Sequence, residues 1–206
     1  MARKTKLEAA KTKEELLMAA QAVFSDKGIT RARLEDIAKK AGVTRGALYW
    51  HFTDKRDLVD NLSQRMQLPM ESMVDEIEEA FEQSPLETIR EQIHKLFSET
   101  VRNRQFKSTI NLAFHQSNQD EQLNIIKKKQ IESRIGSVKK IANELEWAKA
   151  LDHVGANINC MSAALGIHSL VDGLLYHWSM SPNQLDLKQA ILAVDQYIDG
   201  IASKGM

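Results

Sequence analysis

Apolar residues recur at three- and four-residue intervals along almost the whole chain, and the stripes are broken at identifiable stops. Leu16, Leu17, Ala20, Val23 and Phe24 form one stripe that predicts a helix from about Leu7 to Lys27, with Gly28 as its C-terminal stop. Leu34, Ile37, Ala38 and Ala41 predict a second, shorter helix. Gly42-Val43 forms the turn after it, and Thr44 is a good N-cap for a third helix on which Leu48 and Phe52 mark the buried side. Asp54, with Asp57 three residues on, starts a fourth helix in the manner of a capping box. That helix is expected to run through Leu58, Leu62, Met66 and Met73 to Phe81, with a kink at Pro69. Further helices are expected near Leu86–Arg102 behind Ser84-Pro85, over Gln105–Ser117, from Asp120 towards Ala150, and from Asp152 to Ser179. The last starts at Asp186, paired with Gln189, and its Leu187, Ile191, Val194, Ile198 and Ile201 follow the 4-3-4-3 spacing of a coiled-coil seam. No run of alternating β-branched residues is long enough for a strand, so the expected fold class is all-α.

The second and third helices carry the functional signal. A short helix, a glycine-containing turn and a second short helix form a helix-turn-helix, whose second helix enters the DNA major groove. Opposite Leu48 and Phe52, that helix carries Arg45, Gly46, Tyr49 and Trp50. A guanidinium, a glycine, a phenol and an indole on one exposed face make poor surface design unless something docks there. Arg45 suits a bidentate contact with guanine, and Gly46 allows close approach. Tyr49, Trp50 and His51 suit phosphates, as do Lys55 at the next helix start and Arg33, while Thr44 and Ala47 border the same face. Ala32 cannot cap the second helix, so its start is expected to lack roughly 1 kcal/mol of side-chain capping.

Charge sharpens this. The whole chain is neutral, with 28 basic and 28 acidic residues, but residues 1–56 carry 13 Lys/Arg against 7 Asp/Glu. Residues 57–206 carry the opposite excess, 15 against 21. A basic head is the electrostatic footprint of a nucleic-acid binder, and an acidic remainder helps orient it. The expected division is therefore a DNA-binding domain over residues 1–56 and a helical domain over 57–206.

Other chemistry finds no support. The six histidines show no HExxH spacing, and one cysteine, Cys160, provides no zinc framework and no internal disulfide, which fits a reducing cytoplasm. There is no phosphate-cradling glycine loop and no GxSxG elbow. No cofactor, metal or catalytic residue is expected, and with no apolar run of 18 residues, no membrane partner either.

Residues 28–55, GITRARLEDIAKKAGVTRGALYWHFTDK, resemble the DNA-binding domain of TetR-family transcriptional repressors. With the opening MARKTKLEA they look like the AcrR and TtgR branch, which controls drug-efflux pumps. The likeness is strong over roughly the first 60 residues and thinner beyond, through Phe114-His115, Asp172-Gly173, Trp178 and Asp186-Leu187. It implies a three-helix N-terminal DNA-binding domain and a C-terminal helical domain that binds ligand and dimerises through its last two helices. Leu170, Leu174 and Trp178, near the small residues Ala163, Gly166 and Gly173, would then join Ile191, Val194 and Ile198 in the interface of a homodimer. Asn111, Phe114, His115, Asp172, Met66 and Met70 would line the pocket, since Met is an adaptable lining and a few polar groups on apolar faces orient a ligand. The same stripes and polar residues also fit an intramolecular core. The function expected is a repressor that binds a pseudo-palindromic double-stranded DNA operator as a dimer. A small hydrophobic inducer, which Asp172 would allow to be cationic, releases it, and the target is a multidrug efflux pump. A constitutive or architectural DNA binder without an inducer is the alternative.

Overall fold

The computed structural model describes residues 6–65, 70, 71, 73, 84–114 and 123–202. Among these residues the structure is nearly all helix: α1 (Lys6–Lys27), α2 (Leu34–Lys40), α3 (Arg45–His51), α4 (Lys55–Arg65), α5 (Pro85–Arg102), α6 (Arg104–Phe114), α7 (Leu123–Ala150), α8 (Cys160–Met180) and α9 (Leu187–Ile201). Two compact units emerge: Met1–Met66 with Asn111–Gln130, and Gln67–Ile110 with Ile131–Met206.

In the first unit α1 packs on α2 and α4, and α2 packs on α3. The stripe on α1 delivers Leu16, Ala20 and Phe24 to a core completed by Ile29, Ile37, Leu48, Phe52, Leu58 and Leu62, all essentially inaccessible to solvent. Each large side chain so buried contributes about 1.5–3 kcal/mol relative to exposure. Two glycines set the joints. Gly28 ends α1 at φ +77°, its N–H donating to the Phe24 carbonyl at 2.9 Å. Gly42 ends α2 at φ +69°, and Val43 N–H reaches back to the Ala38 carbonyl at 3.0 Å, the six-to-one bond of a Schellman motif. Both conformations are left-handed and cost a side-chain-bearing residue strain.

The caps largely follow the sequence. Thr44 Oγ1 accepts from Ala47 N–H at 3.2 Å, starting α3. Asp54 accepts from Asp57 N–H at 2.8 Å, while Asp57 accepts from Thr53 N–H, also at 2.8 Å, so the forward half of the expected box forms at α4 and the return bond reaches one residue further back. Asp186 accepts from Lys188 N–H at 2.9 Å. At α2 the N-cap is Arg33 rather than Ala32, which is buried. Its side chain does not cap, but Asp36 accepts from Arg33 N–H at 3.3 Å and holds Lys27 at 3.0 Å, supplying the return half of a capping box. Those two donors hold the Asp36 carboxyl below the usual carboxylate range.

In the second unit α9 packs on α8 and α5. Ile89, Ile93 and Phe97 of α5, Ile167, Val171 and Leu175 of α8, and Val194 and Ile198 of α9 are fully buried. The side chain of Arg90 on α5 joins Asp195 at 3.0 Å and Asp199 at 2.6 Å on α9, and His94 Nε2 lies 2.8 Å from Asp195. The expected helix from Asp152 starts only at Cys160, capped by Asn159. The intervening DHVGANIN segment turns instead: Asp152 takes φ +60°, Lys149 Nζ donates to the Ile158 carbonyl at 2.7 Å, and Val154 bridges to Ala202. The expected ends of the fourth and sixth helices, the start at Asp120 and the kink at Pro69 fall outside the described residues.

Lys55 is used differently from the expectation of a phosphate contact. Its ammonium donates to the carbonyls of Ile29 at 2.9 Å, Thr30 at 3.2 Å and Ala32 at 3.3 Å, spending its three hydrogens on the α1–α2 loop. Lys55→Met keeps the stem and removes these bonds, so it is expected to destabilise the protein by about 1–3 kcal/mol. Urea unfolding measures this, and an unchanged midpoint would return Lys55 to the DNA face.

Candidate nucleic-acid interface

Alpha3 has only seven residues, and Leu48 with its C-cap Phe52 anchors it to the core. The other side is left to solvent. Trp50 is 72% exposed and Tyr49 42%, and Arg45, Gly46 and Thr44 are exposed as well. Arg45 is held in place: Nη1 lies 3.1 Å from Glu35 Oε1 on α2, and Nη2 donates to the Tyr49 hydroxyl at 3.4 Å. The guanidinium also sits 5.3 Å from the centre of the Tyr49 ring. The Tyr49 hydrogen bond and the Glu35 charge make it bind its proton more tightly than usual. Trp50 and His51 meet edge to face at 4.6 Å, and Arg33 is exposed at the start of α2. Thr44, Arg45, Gly46, Ala47, Tyr49, Trp50 and His51 thus share one short element and its cap. Lys55 does not join them through its ammonium.

Gly46 is informative. A Cβ built there meets only Thr44 Oγ1, at 3.9 Å, an ordinary contact. Among the described residues nothing requires glycine at this position.

A second polar site lies in the second unit. Asp172 of α8 is half-buried, with its carboxylate 3.4 Å from Nδ1 of the buried His168 and 3.9 Å from Arg134 of α7. Burial pushes the Asp172 carboxyl up and the His168 imidazole down. Ser137, one turn beyond Arg134, has a buried hydroxyl with no hydrogen-bond partner. Of the other expected pocket residues, Met70 is buried, and Asn111 and Phe114 are half-buried in α6. Met66 and His115 lie outside the described residues.

The expected dimer seam needs correction. Val194 and Ile198 are fully buried and Trp178 is 5% exposed within the single chain, the last with Lys107 over its ring at 5.3 Å. They are core, because α9 turns this stripe onto α8 and α5. Gly166 likewise serves the chain itself, since the Tyr197 hydroxyl occupies the place of its missing Cβ. Leu170, Leu174 and Ile191 are only half-buried. The face of α8 that remains apolar and exposed carries Met161, Leu165, Tyr176 and Met180, with Leu192 on α9.

Residues 13–62 match the family model described as bacterial regulatory proteins, tetR family, and residues 84–202 match that of the MAATS-type transcriptional repressor C-terminal region. The chain belongs to the TetR family. Among curated TetR relatives, the HTH-type transcriptional regulator AcrR of Shigella flexneri is 30% identical over 189 residues, covering 92% of this chain and 88% of that protein. The HTH-type transcriptional regulator TtgR of Pseudomonas putida is 29% identical over 187 residues, covering 91% and 89%. The solved complex of SmeT with triclosan superposes with a TM-score of 0.80 at 25% identity, covering 95% of this chain and 93% of that one. SmeT is described as the repressor of the Stenotrophomonas maltophilia multidrug efflux pump SmeDEF. This chain is therefore a TetR-type transcriptional repressor related to efflux-pump repressors, and its relatives are regulators rather than enzymes.

Sequence reasoning missed Glu35 and Arg134. Glu35 lies a full helix and a turn away from Arg45 along the chain, and only the fold of this TetR head closes that gap. A methyl group at position 46 has two effects of opposite sign. Gly46→Ala is expected to stabilise the fold by about 0.5–1 kcal/mol, because alanine is the better helix former. It is also expected to weaken DNA binding in a fluorescence-anisotropy titration, since the added methyl meets the docked duplex.

Proposed function

We propose that the protein is a cytoplasmic, ligand-responsive repressor that binds a pseudo-palindromic operator as a homodimer and controls a multidrug efflux pump. The exposed face of α3 carries this reading: a tethered guanidinium, a glycine with no internal purpose and a largely solvent-exposed indole on a helix held by two buried anchors. In the major groove Arg45 contacts a guanine, while Tyr49, Trp50, His51 and Arg33 contact the backbone. Lys55 acts from behind, by bracing the loop that precedes α2.

A two-fold operator needs two heads at fixed spacing. The exposed α8 face of Met161, Leu165, Tyr176 and Met180 suits a self-complementary contact with a second copy. No helix among the described residues is long and apolar enough to cross a membrane.

The inducer is a small hydrophobic molecule, and Asp172 with His168 gives it an orienting polar end. A carboxylate taken out of water favours a cationic or hydrogen-bond-donating ligand. Binding favours a dimer whose heads no longer match the operator, through different affinities for the two states. The efflux-pump reading is supported by AcrR and TtgR as relatives and by SmeT, whose own target is such a pump.

Two measurements test the assembly and the sensor. Leu165→Glu is expected to sediment as a folded monomer that no longer holds a full operator, whereas wild type sediments as a dimer at micromolar concentration. A wild-type monomer contradicts the homodimer. Asp172→Ala is expected to leave operator affinity within about threefold of wild type while blunting release by a panel of hydrophobic cations and aromatic drugs. Joint loss of DNA binding and thermal stability would make Asp172 a core residue instead.

A further inference from the structure

We propose that Glu35 is a specificity-determining residue of the DNA interface: by engaging Arg45, it withholds that guanidinium from phosphates and yields it to a guanine edge. The inference rests on the reading of α3 as the DNA-contacting helix. The carboxylate of Glu35 lies 3.1 Å from Arg45 Nη1, while Nη2 donates to the Tyr49 hydroxyl, so two of the five guanidinium hydrogens are engaged. Three remain to meet a base.

Its neighbour shows what an acid at this corner does when its job is structural. Asp36 holds Lys27 and the Arg33 N–H, linking α1 to the start of α2. Glu35 instead engages the residue proposed to read the base. The pair is solvent-exposed, 64% for the Arg45 side chain and 51% for Glu35, so it adds little to stability. A carboxylate on a face that meets a polyanion also repels every duplex alike. Both facts set Glu35 apart from fold maintenance and from affinity.

Specificity accounts for both. A free arginine at the end of a flexible stem pairs with any phosphate it meets, and such contacts supply most of non-specific binding. With the Glu35 carboxylate against it, the charge of the Arg45 guanidinium is largely offset. Its pull on a phosphate, which depends on charge, falls, while the donors left over still fit a guanine edge. A guanine presenting O6 and N7 at the right place is approached by the donors left over. The cost falls mainly on wrong sequences.

The test starts from a duplex selected by the wild-type protein out of a random pool, compared with a mixed-sequence duplex of the same length. Glu35→Gln, which keeps the shape and removes the charge, is expected to raise affinity for the mixed-sequence duplex about threefold to tenfold. Its salt dependence should steepen by about one ion. Affinity for the selected duplex should rise less, so the ratio of the two falls, with the unfolding midpoint unchanged. In an Arg45→Ala background the same substitution should leave that ratio unaltered. Equal gains on both duplexes, no change on either, a ratio that falls only because the selected duplex binds more weakly, or an effect that survives in Arg45→Ala would each overturn the role given to Glu35. If wild type enriches no sequence from the pool, the DNA-reading proposal fails, and this one with it.

Discussion

A seven-residue helix has no stability of its own, because the nucleation of the first turn is not repaid over so short a length. Alpha3 exists because Leu48 and Phe52 are buried in the core of the first unit, and the rest of the head is arranged around that burial. Gly42 turns the chain so that α3 leaves α2 at the right angle, Thr44 caps it, and the box between Thr53, Asp54 and Asp57 starts the next helix immediately after Phe52. Burying one side of so short an element leaves the other outside. The exposed arginine, glycine, tyrosine and tryptophan follow from that anchor, and so does the face proposed to meet DNA in this TetR-type repressor.

The second unit is organised by a different force. Its helices share an apolar core, but α5 and α9 are also joined by Arg90 with Asp195 and Asp199, and His94 lies against Asp195. Pairs of this kind add little net stability, because the cost of taking charges out of water offsets their attraction. The apolar stripe of α9 is turned inward on the same side, which leaves the outward apolar face to α8. In the same stripe, between Leu165 and Tyr176, lie Asp172 and His168, with burial raising the carboxyl and lowering the imidazole. Sensing and assembly are thus proposed for one and the same helix.

Much of this was legible in the chain, for local reasons. The helix-turn-helix, its turn glycine and the caps at Thr44, Asp54 and Asp186 depend on residues close to one another in sequence. The segment after Asp152 was misread because the apolar spacing of α8 was extended backwards across Gly155 and Asn157, where a turn forms. The α9 stripe stays ambiguous in the sequence for a deeper reason. A stripe of Ile and Val has the same spacing whether it meets its own chain or a partner, and only packing tells them apart. Glu35 with Arg45, Lys55 with the carbonyls of Ile29 to Ala32, and Arg134 with Asp172 all join different elements, so no sequence pattern announces them.

The central claim is that Arg45 of α3 reads a guanine in the major groove. Replacing each guanine of the selected duplex singly by 7-deazaguanine removes one acceptor and leaves pairing intact. The account predicts one position in each half-site where this weakens wild-type binding severalfold, and where Arg45→Ala shows no further loss. Uniform indifference to every replacement, or the same losses in Arg45→Ala, would contradict it.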